Sequence, residues 1–364
     1  MNEVDKKQTA SPKYQLVKDY VLSQIENNEI SQDDRIPSES EFAKMLDVSS
    51  ITVRKALTDL VNEGVIYRVR GKGSFVANQS AAAVKATSNL VAFIISGLEL
   101  HDSSYLRIMK GVQSFLGKND CKLMIEFVEN NFEQERELVL QLIQSDIRGL
   151  LVYSSDPDAA RGYLDDIRRR SIPFVMLDRF PAGYPVSSVA CNNHDGAYEA
   201  VEYLIGQGHR RIGFAAYDFH LSSESDRYQG YRSAMSNASA GIDDEWLYLG
   251  RDLDYEKLAG QIRGGEITAL FCANDKRALE ALDKLTAEGV RIPEQLSLMG
   301  FDDFESAKFA KVSLSTVKQH FDMLGYEAAK LLFEIRDSSS HGYKKILLPT
   351  DLVIRETVAP PPES

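Results

Sequence analysis

The 364 residues carry 42 Lys and Arg against 54 Asp and Glu, a formal net charge of −12, with 43% hydrophobic and 26% charged residues. That is the balance of ordinary globular protein, and the length points to two or three folding units rather than one core. Cys121, Cys191 and Cys272 stand far apart with no Cys-x-x-Cys pair, which excludes a disulfide framework or a cysteine zinc site and fits a reducing cytoplasm. The opening MNEVDKKQTASPK has no apolar signal core and no apolar run approaches 18 residues, so the expectation is a cytoplasmic chain.

In chain order, residues 13–78 read as one small domain. KYQLVKDYVLSQIENNE places Val17, Tyr20, Val21 and Ile25 at helical spacing. Pro37 introduces a second helix in which Ser38 and Glu41 hold capping-box positions. Asp47-Val48 is a turn and Ser49 an N-cap. The third helix buries Val53, Ala56, Leu57, Leu60 and Val61, and Gly64 ends it. The period then changes to two: Val65, Tyr67 and Val69 alternate with Ile66, Arg68 and Arg70, Gly71-Lys72-Gly73 turns the chain, and SFVA returns it. From Arg54 to Lys72 there are five bases (Arg54, Lys55, Arg68, Arg70, Lys72) and two acids (Asp59, Glu63), a local +3 on an acidic molecule.

Residues 79–88 are small and polar and read as a linker. From residue 89 to 357 short apolar runs alternate with helical stretches: LVAFIIS, KLMIEFV, GLLVYSS, PFVMLD, RIGFAAY, TALFCAND and LSLMGFDD. This is the pattern of parallel sheets wrapped by helices, and its length suits two doubly wound lobes. Ligands of such sheets sit beyond the carboxyl ends of strands. Tyr153, Asp178-Arg179, Asn274-Asp275 and Asp302-Asp303 fall there, a mixture of acceptors, donors and aromatic faces that suits a polyol better than a phosphate. Asp275 and Asp303 are expected to cap the following helices, and Asn193 and His194 to be turn residues. His101, in the first loop after a strand, is a weaker ligand candidate.

The segment from Pro37 to Val76 resembles the winged helix of GntR-type regulators, with PSESEFA, VSSITVRKAL, LVNEG and GKGSFV in family order. By position the resemblance implies DNA contacts from Ser40, Ser49, Ser50, Thr52, Arg54, Arg70 and Gly71, and the basic hairpin adds Arg68. Ser50 departs from the arginine usual in the family and cannot make that residue's bidentate guanine contact. Residues 90–357 resemble the effector domain of LacI/GalR-type repressors through GLLVYSS, PFVMLDR, LIGQGHRRIGF, RYQGYRSAM, ALFCAND, SLMGFDDF and STVKQ. Together the two resemble the arabinose-repressor group. That implies effector contacts from Arg227, Asn274, Asp302 and Gln319, with Tyr105 and Tyr153 covering the sugar ring and Asp178 and Arg179 lining the cleft. It also implies a homodimeric repressor, with neither cofactor nor metal, that leaves operator DNA on binding a monosaccharide such as L-arabinose. The chain lacks a G-x-S-x-G elbow, a phosphate loop and an H-E-x-x-H helix. The alternative is a sugar-metabolising enzyme with an autoregulatory DNA-binding domain.

Overall fold

The computed structural model describes residues 13–27, 29–31, 33–62, 65–69, 72–76, 89–97, 104–129, 131–337 and 342–362. The linker at 79–88, together with Gly64, Arg70, Gly71, His101 and Asp102, lies outside them. The chain divides into a unit ending at Thr87 and a unit beginning at Ser88.

The first unit holds α1 (Lys13–Glu26), α2 (Glu39–Met45), α3 (Ser50–Asn62) and the antiparallel pair β1 (Ile66–Val69) and β2 (Gly73–Val76). The start of α2 follows from its sequence. Ser38 accepts the Glu41 amide and the Glu41 carboxylate accepts the Ser38 amide, which satisfies two helix-start donors. Ser49 Oγ accepts the Thr52 amide at 3.2 Å at the start of α3. Val53, Ala56, Leu57 and Leu60 are buried with Val17, Val21, Phe42 and Ile66, while Val61 packs partly exposed at the margin. In the hairpin the cross-strand pair Ile66 and Val76 enters the core, and Tyr67 instead stacks on Phe75 at 5.6 Å. Arg35 adds a bridge to Phe75, so the wing has a short third edge. Gly73 sits at φ +116°, where an L side chain is strained.

The second unit contains two six-stranded sheets. The first has the order β13-β7-β6-β5-β3-β4, all pairs parallel, built from β3 (Leu90–Ser96), β4 (Lys122–Val128), β5 (Gly149–Tyr153), β6 (Phe174–Leu177), β7 (Ser188–Cys191) and β13 (Lys345–Leu348). The second has the order β14-β12-β11-β10-β8-β9, from β8 (Ile212–Ala216), β9 (Leu247–Leu249), β10 (Ala269–Cys272), β11 (Ser297–Asp302), β12 (Ser315–Gln319) and β14 (Thr350–Val353). Its β12–β14 pair alone is antiparallel. Strands such as LVAFIIS are apolar on both faces because helices cover both faces.

In the first lobe α4 (Ser104–Gly117), α5 (Phe132–Leu142) and α6 (Arg161–Arg169) follow β3, β4 and β5. The second lobe has α7 (Asn193–Gly206), α8 (Ser222–Asn237), α9 (Tyr255–Arg263), α10 (Asp275–Ala287) and the short α11 (Glu305–Lys308). The last helix, α12 (Phe321–Asp337), follows β12 of the second sheet but packs on α4 of the first lobe. A Cβ on Gly111 or on Gly325 would lie 2.0 Å from a carbonyl oxygen of the opposite helix, which fixes how closely α4 and α12 approach. The chain thus passes between lobes three times: after β7, after β12, and between β13 and β14.

Two expectations are corrected. Asn193 and His194 begin α7 rather than forming a turn; Asn192 caps that helix by accepting the Asp195 amide. Asp275 and Asp303 are not N-caps. Asn274 caps α10, Asp275 is its first helical residue, and Asp303 pairs with Arg355 instead.

Candidate functional site: a cleft between two sheets

In both sheets the chain leaves the first strand in one direction and returns on its other side, so β3 lies between β4 and β5, and β8 between β9 and β10. Strand order reverses at β3/β5 and at β8/β10, and crevices open at the carboxyl ends of such strands. A cavity of about 580 Å³ lies there. Gly97 and Tyr153 reach it from β3 and β5, and Tyr217 and Asn274 from β8 and β10. All eight residues expected to contact the effector (Tyr105, Tyr153, Asp178, Arg179, Arg227, Asn274, Asp302 and Gln319) line this one cleft.

On the first lobe, Tyr105 and Tyr153 meet edge to face at 5.5 Å. The Tyr153 hydroxyl donates to Asp178 Oδ2 at 3.2 Å, and the Arg179 guanidinium lies 4.7 Å from the Tyr153 ring centre. Burial works against the charge on Arg179, but Tyr153, Asp178, Tyr105 and Glu224 together raise its pKa. Asp178 adopts φ +63°, a left-handed conformation that turns the chain sharply at the end of β6.

On the second lobe, Arg227 is held on three sides. Its Nε donates to Asn193 Oδ1 at 2.9 Å, Nη1 donates to the Ala273 carbonyl at 2.6 Å, and Nη2 lies 3.3 Å from Asp302 Oδ1. Its guanidinium stacks 3.8 Å from the Phe301 ring centre. Gln319 donates from Nε2 to Asp302. Asn274 does two jobs: Oδ1 accepts the Arg277 amide at 2.9 Å, and Nδ2 donates to Glu224 Oε1 at 2.9 Å.

Asp178 Oδ1, Arg179 Nε and Gln319 Oε1 are buried without a hydrogen-bond partner. Buried polar atoms are normally satisfied, so two acceptors and one donor left open in a cleft describe what a ligand must bring.

Glu224 was not anticipated. It lines the cleft from the first turn of α8, nearly buried, and desolvation raises its pKa against the pull of Arg227. Its position three residues before Arg227, one helical turn along the same face, was the available signal. His220, Arg251, Lys276 and Glu280 also line the cleft from loops and helix starts that carry no strand-end signature. Outside the cleft lining, Asp156, Asp165 and Asp166 pair with His220, Arg168 and Arg169 rather than with one another.

In the first unit Ser49, Ser50, Thr52 and Arg54 lie together at the leading end of α3, all on its solvent side. Ser49 and Thr52 hydroxyls bond each other at 2.7 Å, and Ser40 bonds Ser38 at 3.1 Å. Glu39 links the pieces. It accepts Nε and Nη2 of Arg54, both at 3.0 Å, while Arg68 of the wing stands 3.6 Å from its other oxygen. The carboxylate therefore presents a helix-start arginine and a wing arginine together.

Residues 13–76 match the bacterial regulatory proteins of the gntR family, and residues 201–358 match a periplasmic-binding-protein-like domain. The chain joins a GntR-family regulatory domain to a periplasmic-binding-protein-like domain. Across 95% of its length it is 28% identical to the arabinose metabolism transcriptional repressor of Halalkalibacterium halodurans, of which it covers 96%. With the protein of that name from Geobacillus stearothermophilus it shares 27% identity over 96% of the chain and 99% of the relative. Among solved structures, a transcriptional regulator CelR bound to cellobiose has the same fold, with a TM-score of 0.66, 23% identity, and 96% of this chain and 100% of that one covered. A ribose operon repressor structure from Burkholderia thailandensis covers 73% of this chain and 99% of its own, at 25% identity and a TM-score of 0.64. The gntR match thus spans the helices and hairpin of the first unit, and the periplasmic-binding-protein-like match spans the second lobe's side of the cleft.

Proposed function

We propose that this protein is a sugar-responsive transcriptional repressor of carbohydrate-utilisation genes, and that the cleft is its effector site. The observation that carries the reading is the convergence of Tyr105, Tyr153, Asp178, Arg179, Arg227, Asn274, Asp302 and Gln319 on one cavity. The two open acceptors, Asp178 Oδ1 and Gln319 Oε1, require donors, which the hydroxyls of a free sugar supply without adding negative charge beside Asp178. L-arabinose is the first candidate because the two relatives described above are arabinose repressors.

Ser40, Ser49, Ser50, Thr52, Arg54 and Arg68 form the DNA face in this reading; Arg70 and Gly71, which lie outside the described residues, join it on the family resemblance alone. The leading end of α3 enters the major groove and the wing reaches the backbone or minor groove. Two copies bind a near-palindromic operator as a homodimer. Effector contacts sit beside the crossings between lobes: Gln319 precedes the crossing into α12, and Asn193, bonded to Arg227, follows the one after β7. Sugar that pulls on Arg227, Asp302 and Gln319 thereby bears directly on the hinge, and closure weakens operator binding. Linkage makes the coupling reciprocal, with typical magnitudes of about 1–3 kcal/mol.

The experiment is a thermal-shift screen against monosaccharides, then operator titration with and without the stabilising sugar. Equal operator affinity in both titrations defeats the induction reading. Incubation of the same sugars with the protein tests the enzyme alternative, for which turnover is required.

A further inference from the structure

A histidine–carboxylate pair, ionic when the imidazole is protonated, spans the cleft mouth. His220, in the loop after β8 of the second lobe, has Nε2 3.2 Å from Oδ1 of Asp156, in the loop after β5 of the first lobe. We infer that His220 and Asp156 form a latch that holds the two lobes together at the mouth of the cleft, and that they are positioning residues for effector binding. The inference rests on the cleft being the effector site.

Both ends of the latch are fixed in place before they meet. His220 donates its amide to Asp218 Oδ1 at 2.7 Å. On the other lobe, Asp156 Oδ1 accepts the Ala159 amide at 2.9 Å, and the Asp156 amide donates to Ser154 Oγ at 3.2 Å. That loop is tied to Glu135, which is fully buried and accepts Ser154 Oγ, Ser155 N, Ser155 Oγ and the Tyr163 hydroxyl. A loop stapled to a buried carboxylate does not drift, so bonding to Asp156 fixes the second lobe against the rigid part of the first. A neighbouring backbone contact also crosses between lobes: Phe180 N donates to Ser222 Oγ at 3.3 Å. Since His220 itself lines the cavity, entry and release of ligand pass the latch.

The test measures lobe separation in the full-length, sugar-free protein. Cysteines introduced at the exposed Gln144 and Lys284, one on each lobe, carry spin labels, and the native cysteines are all buried. Pulsed dipolar spectroscopy then gives the ratio of short to long separations. Pairs of this exposure are worth up to about 1 kcal/mol, so Asp156→Asn and His220→Ala should each lower the ratio about threefold to fivefold. The double variant should do no more than either single one. His220→Gln, which cannot carry the imidazolium charge, should lower the short population as His220→Ala does. Unchanged separations in both single variants, or additive effects in the double, overturn the latch. Failure of the sugar reading shows instead as no thermal shift of the unsubstituted protein with L-arabinose or other monosaccharides, and leaves this distance measurement intact.

Discussion

Arg227 Nη2 and Asp302 Oδ1 stand 3.3 Å apart in the cleft, with both side chains less than a tenth exposed. A pair this buried is a weak source of stability when whole but a large loss when halved, because the remaining charge stays desolvated. Arg227→Ala should therefore lower unfolding free energy by about 3–5 kcal/mol. Arg227→Lys keeps the charge but not the fork that serves Asn193, Ala273 and Asp302. It should fold and lose at least about tenfold in sugar affinity, the equivalent of about 1.4 kcal/mol, as read by calorimetry.

Asp178→Asn retains shape and removes charge from an oxygen that has no partner within the protein. Hydrogen bonds to charged groups contribute about 1.5–3 kcal/mol, so sugar affinity should fall between tenfold and about a hundredfold; the melting temperature should fall too, because Asp178 offsets the desolvated charge of Arg179 3.7 Å away. Equal affinity in the variant would remove Asp178 from the effector contacts.

Arg54→Ala should weaken operator binding about tenfold or more, measured by gel-shift titration. Glu39→Gln should act in the same direction more weakly, since it frees Arg54 and Arg68 from their shared anchor while keeping both cations.

Most of this architecture was legible in the residues. Apolar runs such as LVAFIIS announced seven strands; six of them are almost wholly buried, and the edge strand β4 is half-exposed. The strands not so announced, β7, β9, β12, β13 and β14, are short or sit toward sheet edges, where Ser188, Lys318 and Lys345 break the apolar pattern. Tyr153, Asp178, Arg179, Asn274 and Asp302 were legible because strand-end position is a topological property that spacing reveals, whereas Tyr105, Arg227 and Gln319 came from the family resemblance alone. Glu224 and His220 were not, because their approach to the cleft depends on the orientation of α8 and of the loop before it. The cap assignments failed at Asp275 for a similar reason. Its carboxylate turns inward to the Thr316 hydroxyl and the Phe304 amide, contacts 41 and 29 residues away.

That inward turn has a pH signature. Burial pushes Asp275 from 3.8 up to about 7, against the hydrogen bonds from Thr316 and Phe304. Between those values the folded state binds more protons than the unfolded one, so this group's contribution to stability declines as pH rises through that window and is level above it. The melting temperature of the native protein should drop more from pH 5 to pH 8 than that of Asp275→Asn. Parallel curves would mean that the carboxylate is already ionised at pH 5.

At the α4–α12 contact, Gly325→Ala should destabilise by at least about 1–3 kcal/mol, because its methyl would meet the Ile108 carbonyl and neither backbone has room to yield. Chemical denaturation reads this directly. A change below a few tenths would mean the helices can separate freely.

The triple passage of the chain between its two sheets limits how such a protein can be taken apart. A scissors cut after β7 would leave the first sheet without β13 and without the helix that covers it, since both come from the far end of the chain. Neither half of the sugar-sensing portion can be transplanted as one continuous piece of sequence. The junction near Ser88 carries no such entanglement. Recombination there can hand an intact sensor to a different DNA reader, and a chimera built at that joint should keep its sugar preference while changing its operator.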